Sequence, residues 1–175
     1  MCDILILPPK VNVPYDKLEN VVWNNPDGYG LLVHKQGNLV PHKELPQGGT
    51  DPKVIDKLLR DNEKYTRYLH LRWKTEGQIS FDNCHPFLVY SDKDRDVYFM
   101  HNGTLYEYKA KSQTDQRSDS RIFAEEILTP LLKSTKGDYS SEIIKTTISK
   151  FWGLTGNNRG LIVSNKSDPL IIGLS

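Results

Sequence analysis

The residue whose type and place could do chemistry unaided is the cysteine at position 2. Once the initiator methionine is trimmed, Cys2 becomes the first residue and its free α-amino group lies within reach of its own thiol. An α-amine has a reference pKa of about 7.7 to 8.0. It can therefore take the thiol proton near neutrality and later return it to a leaving group, so that one residue supplies both nucleophile and base. The competing reading is that small residues at position 2 are common in proteins with no such chemistry. The other cysteine, Cys84, reads as a buried small residue. Two cysteines are too few for a disulfide framework and lack the spacing of a zinc site, and His34, His42 and His70 form no metal-ligand grouping. No metal and no cofactor are expected.

The elements that must hold Cys2 can be read from periodicity and turn chemistry. Ile4 to Leu7 reads as a short buried strand. Gly30 to His34 and Asn38 to Val40 read as a hairpin turning at Gln36-Gly37, and Asn24 to Gly28 as a turn. Asp51-Pro52 starts a helix that runs through Arg60 on Val54, Ile55, Leu58 and Leu59. Tyr65 to Trp73, Pro86 to Tyr90 and Val97 to His101 read as sheet. A helix from about Ser120 to Leu132 follows, capped by Ser118 or Asp119, with Ile122, Phe123, Ile127 and Leu131 on one face. A second, from about Ser140 to Trp152, carries Ile143, Ile144, Ile148 and Phe151. Leu161 to Ser164 and Leu170 to Ile172 close the chain as strands. This order predicts an α+β domain of sheet layers covered by helices.

The chain has 175 residues and a net charge of +1, without a basic block or repeat, which favours one domain over residues 1–175 and a small-molecule substrate over nucleic acid or an anionic membrane. The apolar start has no basic residues before it and is stopped by Pro8-Pro9, so neither a signal peptide nor a membrane span is expected. A reducing, cytoplasmic setting fits two free thiols.

Several motifs occur in order: Met1-Cys2, Asn25-Pro26-Asp27-Gly28-Tyr29-Gly30, His70-Leu71-Arg72-Trp73-Lys74-Thr75-Glu76-Gly77, Asn83-Cys84-His85-Pro86-Phe87, His101-Asn102-Gly103, Ser118-Asp119-Ser120 and the closing Gly160 to Leu174 stretch. With them the chain resembles the class II glutamine amidotransferases, over nearly its whole length. The resemblance implies an N-terminal-nucleophile hydrolase fold, an αββα sandwich of two mainly antiparallel sheets covered by helices. It also implies catalysis through a γ-glutamyl thioester on Cys2. In the same terms, the Asn102 side-chain amide and the Gly103 N–H form the oxyanion hole, and one such donor is typically worth about 10²–10³ in turnover. Arg72 clamps the substrate α-carboxylate with its bidentate fork, Asp119 holds the α-ammonium, Trp73 and Thr75 belong to a substrate-covering loop, and His85 is a supporting residue. Plainer readings stand beside these: a hairpin turn at Asn102-Gly103, a helix N-cap at Asp119 and a core tryptophan at Trp73. Asp27 and Gly28 are read as structural.

Glu76 departs from the synthase-linked members, which usually carry histidine there. Facing the pocket, it would oppose the substrate carboxylate by about 4 kcal/mol at 4 Å and an effective dielectric of 20. Glu76 therefore either turns outward, toward Lys74, or the ligand is not plain glutamine. Three functions follow. The first is glutamine hydrolysis with ammonia passed in trans to a separate synthetase or transferase, since no acceptor domain follows Ser175. The second is hydrolysis of a γ-glutamyl amide with no ammonia-accepting partner. The third is an inactive binding module of the same fold.

Overall fold

The computed structural model describes residues 2–152 and 158–173. The chain divides into two compact units, residues 1–75 with 79–86 and residues 76–78 with 87–175.

In the first unit β1 (Asp3–Leu7), α1 (Tyr15–Trp23), β2 (Tyr29–Lys35), β3 (Asn38–Glu44), α2 (Pro52–Asp61) and β4 (Thr66–Leu71) follow in order, and an antiparallel sheet runs β1-β4-β2-β3. Leu5 opposes Leu69 and Leu31 opposes Leu69, so the apolar sets of three strands share one face. Beneath it lie Leu18 and Val22 of α1 and Ile55 and Leu59 of α2. The hairpin turns where expected, with Gln36 at φ 52° and Gly37 at φ 77°. The α2 start is also as expected, the Asp51 carboxylate accepting from the Lys53 N–H at 2.9 Å. The sequence reading missed α1, which follows Pro14 without a side-chain cap and fully buries just Leu18 and Val22. It also ran β4 too far. Asp3 and Tyr29 both pair with Leu71, so the ladder has no further partners and Trp73 lies beyond it, exposed.

The second unit contains β5 (Phe87–Ser91), β6 (Asp96–Asn102), α3 (Asp119–Phe123), α4 (Thr129–Ser134), α5 (Glu142–Trp152), β7 (Arg159–Ser164) and β8 (Leu170–Ile172), with an antiparallel sheet in the order β5-β6-β7-β8. Phe99 and Ile162 of the sheet pack with Phe123, Leu128, Leu132, Ile148 and Trp152 of the helices. Between α3 and α4 the backbone makes a π turn over Ala124–Leu128, and the Thr129 hydroxyl donates to the Ala124 carbonyl at 2.8 Å. The extra residue per turn carries the fully buried line from Phe123 to Leu128 and Leu132, one position beyond the expected Ile127 and Leu131, which are only partly buried. On α5 the buried residues are Ile148 and Trp152, while Ile143 and Phe151 are exposed, correcting the face read for that helix. No helix among the described residues is long and apolar enough to cross a membrane.

One fully buried cation ties the first unit together. The Arg67 guanidinium donates to Asn12 Oδ1 at 2.8 Å, to the Leu59 carbonyl at 2.7 Å, to the Pro8 carbonyl at 3.0 Å and to the Val11 carbonyl. It thereby fixes the 8–12 segment to the end of α2. Arg67→Met, which keeps most of the buried stem but leaves these acceptors unanswered, should lower the unfolding free energy by about 3 kcal/mol in urea titrations, with little change in slope.

Candidate active site

Cys2 immediately precedes β1, and the ladder that ends at Asp3 and Leu71 delivers it beside the exit of β4. There the Cys2 thiol donates to the Trp73 carbonyl at 3.3 Å, and the Trp73 N–H lies 3.4 Å from the same sulfur. The turn 24–28 holds the other side of this segment. The Arg72 N–H donates to the Gly28 carbonyl at 2.9 Å and the Asp27 N–H to the Arg72 carbonyl at 2.9 Å, while the Asp27 carboxylate accepts from the Lys74 N–H at 2.7 Å. Asn25, fully buried, donates to Asp3 Oδ2 and to the Val21 carbonyl, each at 2.8 Å. Gly28 has φ 109°, and a β-carbon there would meet the Cys84 sulfur at 2.8 Å. Gly30 is needed for a different reason: its β-carbon would stand 1.8 Å from the His85 carbonyl oxygen.

Arg72 is 3% exposed, whereas Trp73 and Thr75 are exposed. His85 is buried and its ring stacks on that of His70 at 3.9 Å between centroids, so in this unit it is a packed ring against β4. Cys84 is fully buried. Burial pushes its thiol pKa up, against the fields of Arg72 and Lys43, which pull it down. A cavity of about 460 Å³ lies beside Asp27, walled mainly by Pro26, Leu45, Pro46 and Ile79.

The second unit gathers Asn102, Gly103 and Asp119. Asn102 ends β6, and Gly103 turns the chain at φ 131°. Asp119 starts α3 behind its true cap, Ser118, whose hydroxyl accepts from the Arg121 N–H at 3.2 Å. Asp119 is 3% exposed and its Oδ2 accepts from the Leu105 N–H at 2.5 Å. Asn158, which the sequence reading did not single out, accepts from the Thr104 N–H at 2.7 Å. The available signal was a polar residue standing directly before an apolar strand. Glu76 faces Lys109 in an ion pair and not Lys74, and the Lys109 ammonium also lies 4.9 Å from the Tyr106 ring centroid. Gly77 packs so closely that a β-carbon would come 2.6 Å from the Ser118 nitrogen. Among the described residues no cluster of His, Cys, Asp or Glu could hold a metal ion.

A family profile described as "Glutamine amidotransferases class-II" matches residues 17–152. The chain belongs to the class II glutamine amidotransferases. It is similar to the glutamine–fructose-6-phosphate aminotransferase (isomerizing) of Halobacterium salinarum, with 25% identity over 94% of this chain and 28% of that protein. It is likewise similar to the amidophosphoribosyltransferase of Staphylococcus aureus, with 24% identity over 95% of this chain and 35% of that protein. It thus spans about a third or less of the length of these relatives. Among solved structures, the glutamine phosphoribosylpyrophosphate amidotransferase from B. subtilis, complexed with ADP and GMP, aligns with a TM-score of 0.56 and 18% identity over 94% of this chain and 35% of that one. The allosteric regulatory enzyme of purine biosynthesis aligns with a TM-score of 0.59 and 18% identity over 94% and 36%. The α+β, N-terminal-nucleophile hydrolase fold expected from the sequence is therefore the fold of this amidotransferase chain.

The two cysteines of this class II amidotransferase differ in access, Cys2 being partly exposed and Cys84 fully buried. Iodoacetamide at neutral pH should alkylate Cys2 in the native protein and reach Cys84 only in denaturant, as read by peptide mass mapping.

Proposed function

We propose that the chain is a glutaminase-type amidotransferase that attacks the side-chain amide of glutamine with Cys2. The observation that carries this reading is the Cys2 sulfur held at the Trp73 backbone, directly beside the buried Arg72. The α-amine of a Met1-free Cys2 takes the thiol proton, and the thiolate attacks the amide carbon. Asn102 Nδ2–H and the Gly103 N–H donate to the resulting oxyanion. The ammonium proton passes to the leaving nitrogen, ammonia departs, and a γ-glutamyl thioester remains. Water then adds to the thioester, releasing glutamate and restoring the thiol. Arg72 pairs with the substrate α-carboxylate and Asp119 with its α-ammonium, with Trp73, Thr75, Glu76 and His85 around them. The relatives' names couple glutamine to fructose 6-phosphate and to a phosphoribosyl group; by analogy, the ammonia released here goes to an acceptor, which we assign to a separate synthetase or transferase. No metal or cofactor enters these steps, and a reducing cytoplasm would keep Cys2 free.

The cavity beside Asp27 favours a second substrate class, γ-glutamyl amides of a bulkier apolar amine. Comparing hydrolysis of glutamine with a panel of γ-glutamyl amides separates the two. The Lys109 ion pair also bears on the charge question raised by Glu76, because a paired carboxylate repels an incoming carboxylate far less than a bare one.

Intact mass should show loss of Met1; a retained methionine would instead support a binding module. Cys2→Ala should fold and release no ammonia. Asn102→Ala should lower kcat by about 10²-fold with little change in KM, measured by coupled glutamate release. Lys109→Met, which uncovers the Glu76 charge, should raise KM for glutamine severalfold, and added salt should reduce that penalty.

A further inference from the structure

His101 stands immediately before the Asn102-Gly103 turn and has no part in the chemistry above, yet it is 1% exposed and both of its ring nitrogens meet polar side chains. Nδ1 lies 2.7 Å from Ser120 Oγ and Nε2 lies 3.2 Å from Asn158 Oδ1. The Asn158 amide orientation follows from its other contact. The Thr104 N–H points at it from 2.7 Å, and a backbone donor requires an oxygen there. That oxygen cannot donate to Nε2, so the ring proton sits on Nε2. Nδ1 of the neutral ring is then an acceptor, and the Ser120 hydroxyl donates to it. The hydroxyl has a second acceptor in reach, Asp119 Oδ1, but at 3.4 Å, consistent with its single proton going to the ring. Burial pushes the imidazole pKa down, against the Asp119 charge and the Asn158 hydrogen bond, which raise it; this agrees with a neutral ring.

These contacts converge on the turn. Of the two amides that follow Gly103, Thr104 donates to Asn158 and Leu105 to Asp119. A β-carbon on Gly103 would lie 2.0 Å from Asn158 Oδ1, so the turn is seated directly on that side chain. Resting on the assignment of Asn102, Gly103 and Asp119 given above, we propose that His101 is a positioning residue: donating to Asn158 and accepting from Ser120, it sets the oxyanion turn and the Asp119 carboxylate in one shared arrangement.

Packing alone would make a different demand. The ring meets the Trp152 edge at 5.1 Å and 90° and lies parallel to Phe99 at 6.5 Å, contacts that a phenylalanine could also make. His101→Phe therefore keeps the shape and removes both hydrogen bonds.

The test joins a spectroscopic readout to a kinetic cycle. In the Cys2→Ala protein, ¹⁵N shifts of the His101 ring should report the Nε2–H tautomer and move when glutamine is added. Asn158→Ala and Ser120→Ala should each lower kcat/KM by about ten- to a hundredfold, and together by much less than the product of the two. In the His101→Phe background the two losses should instead multiply. An Nδ1–H tautomer overturns the proposal, as does His101→Phe with unchanged kcat and KM. If diazo-oxo-norleucine fails to label Cys2 in the unsubstituted protein, the amidotransferase reading falls and this inference with it. If the label is taken up but the losses multiply with His101 present, this inference alone falls.

Discussion

At Leu71 strand β4 is paired on both sides, to Asp3 of β1 and to Tyr29 of β2, and both ladders stop there. The next residues must satisfy their backbone groups without a strand, and they do so with Gly28, Asp27 and the Cys2 sulfur. That one constraint puts the first cysteine, the Arg72 side chain and the turn 24–28 in register. A slip of one residue would send Arg72 to the other face of the sheet.

Buried polar groups, more than apolar packing, give both units their local precision. The apolar clusters tolerate exchange among residues of similar volume. Arg67 and His101 do not, because each answers several polar groups that water cannot reach. Arg67 spends its guanidinium on neutral acceptors and burial lowers its pKa, which marks it as a structural tie. His101 bridges Asn158, which holds the Thr104 amide, and Ser120, the neighbour of the Asp119 that holds the Leu105 amide, and so under the proposed function its contacts bear on geometry where charge would develop in catalysis.

Charge around the second unit's polar residues is balanced locally. Glu76 is answered by Lys109, and the Asp119 charge also acts on that lysine. Under the proposed function, a carboxylate at position 76 is therefore compatible with an anionic ligand group, provided its lysine stays. Further out, Arg117 gathers Asp115, Glu125 and Glu126 and holds the Asp115 carboxyl at about 2, a partly exposed surface cluster beside the start of α3 that contributes little to stability by itself.

Position alone marked Cys2, because only a residue that becomes the N-terminus can carry its own base. Local chemistry was equally legible at Gln36-Gly37, where an αL turn is needed, and at Asp51-Pro52, where side chain and ring geometry start a helix by themselves. Motif order placed Asn102, Gly103 and Asp119 in the chain. Tertiary structure decided what periodicity could not. The π turn moved the buried line from Ile127 and Leu131 to Leu128 and Leu132, and the shared ladder end put Trp73 outside the sheet. It also supplied partners distant in sequence: Lys109 for Glu76, Asn158 for the amide after Gly103, and Ser120 with Asn158 for His101. Such pairings depend on which strands lie side by side, as β6 and β7 do at His101 and Gly160, and no local propensity encodes that.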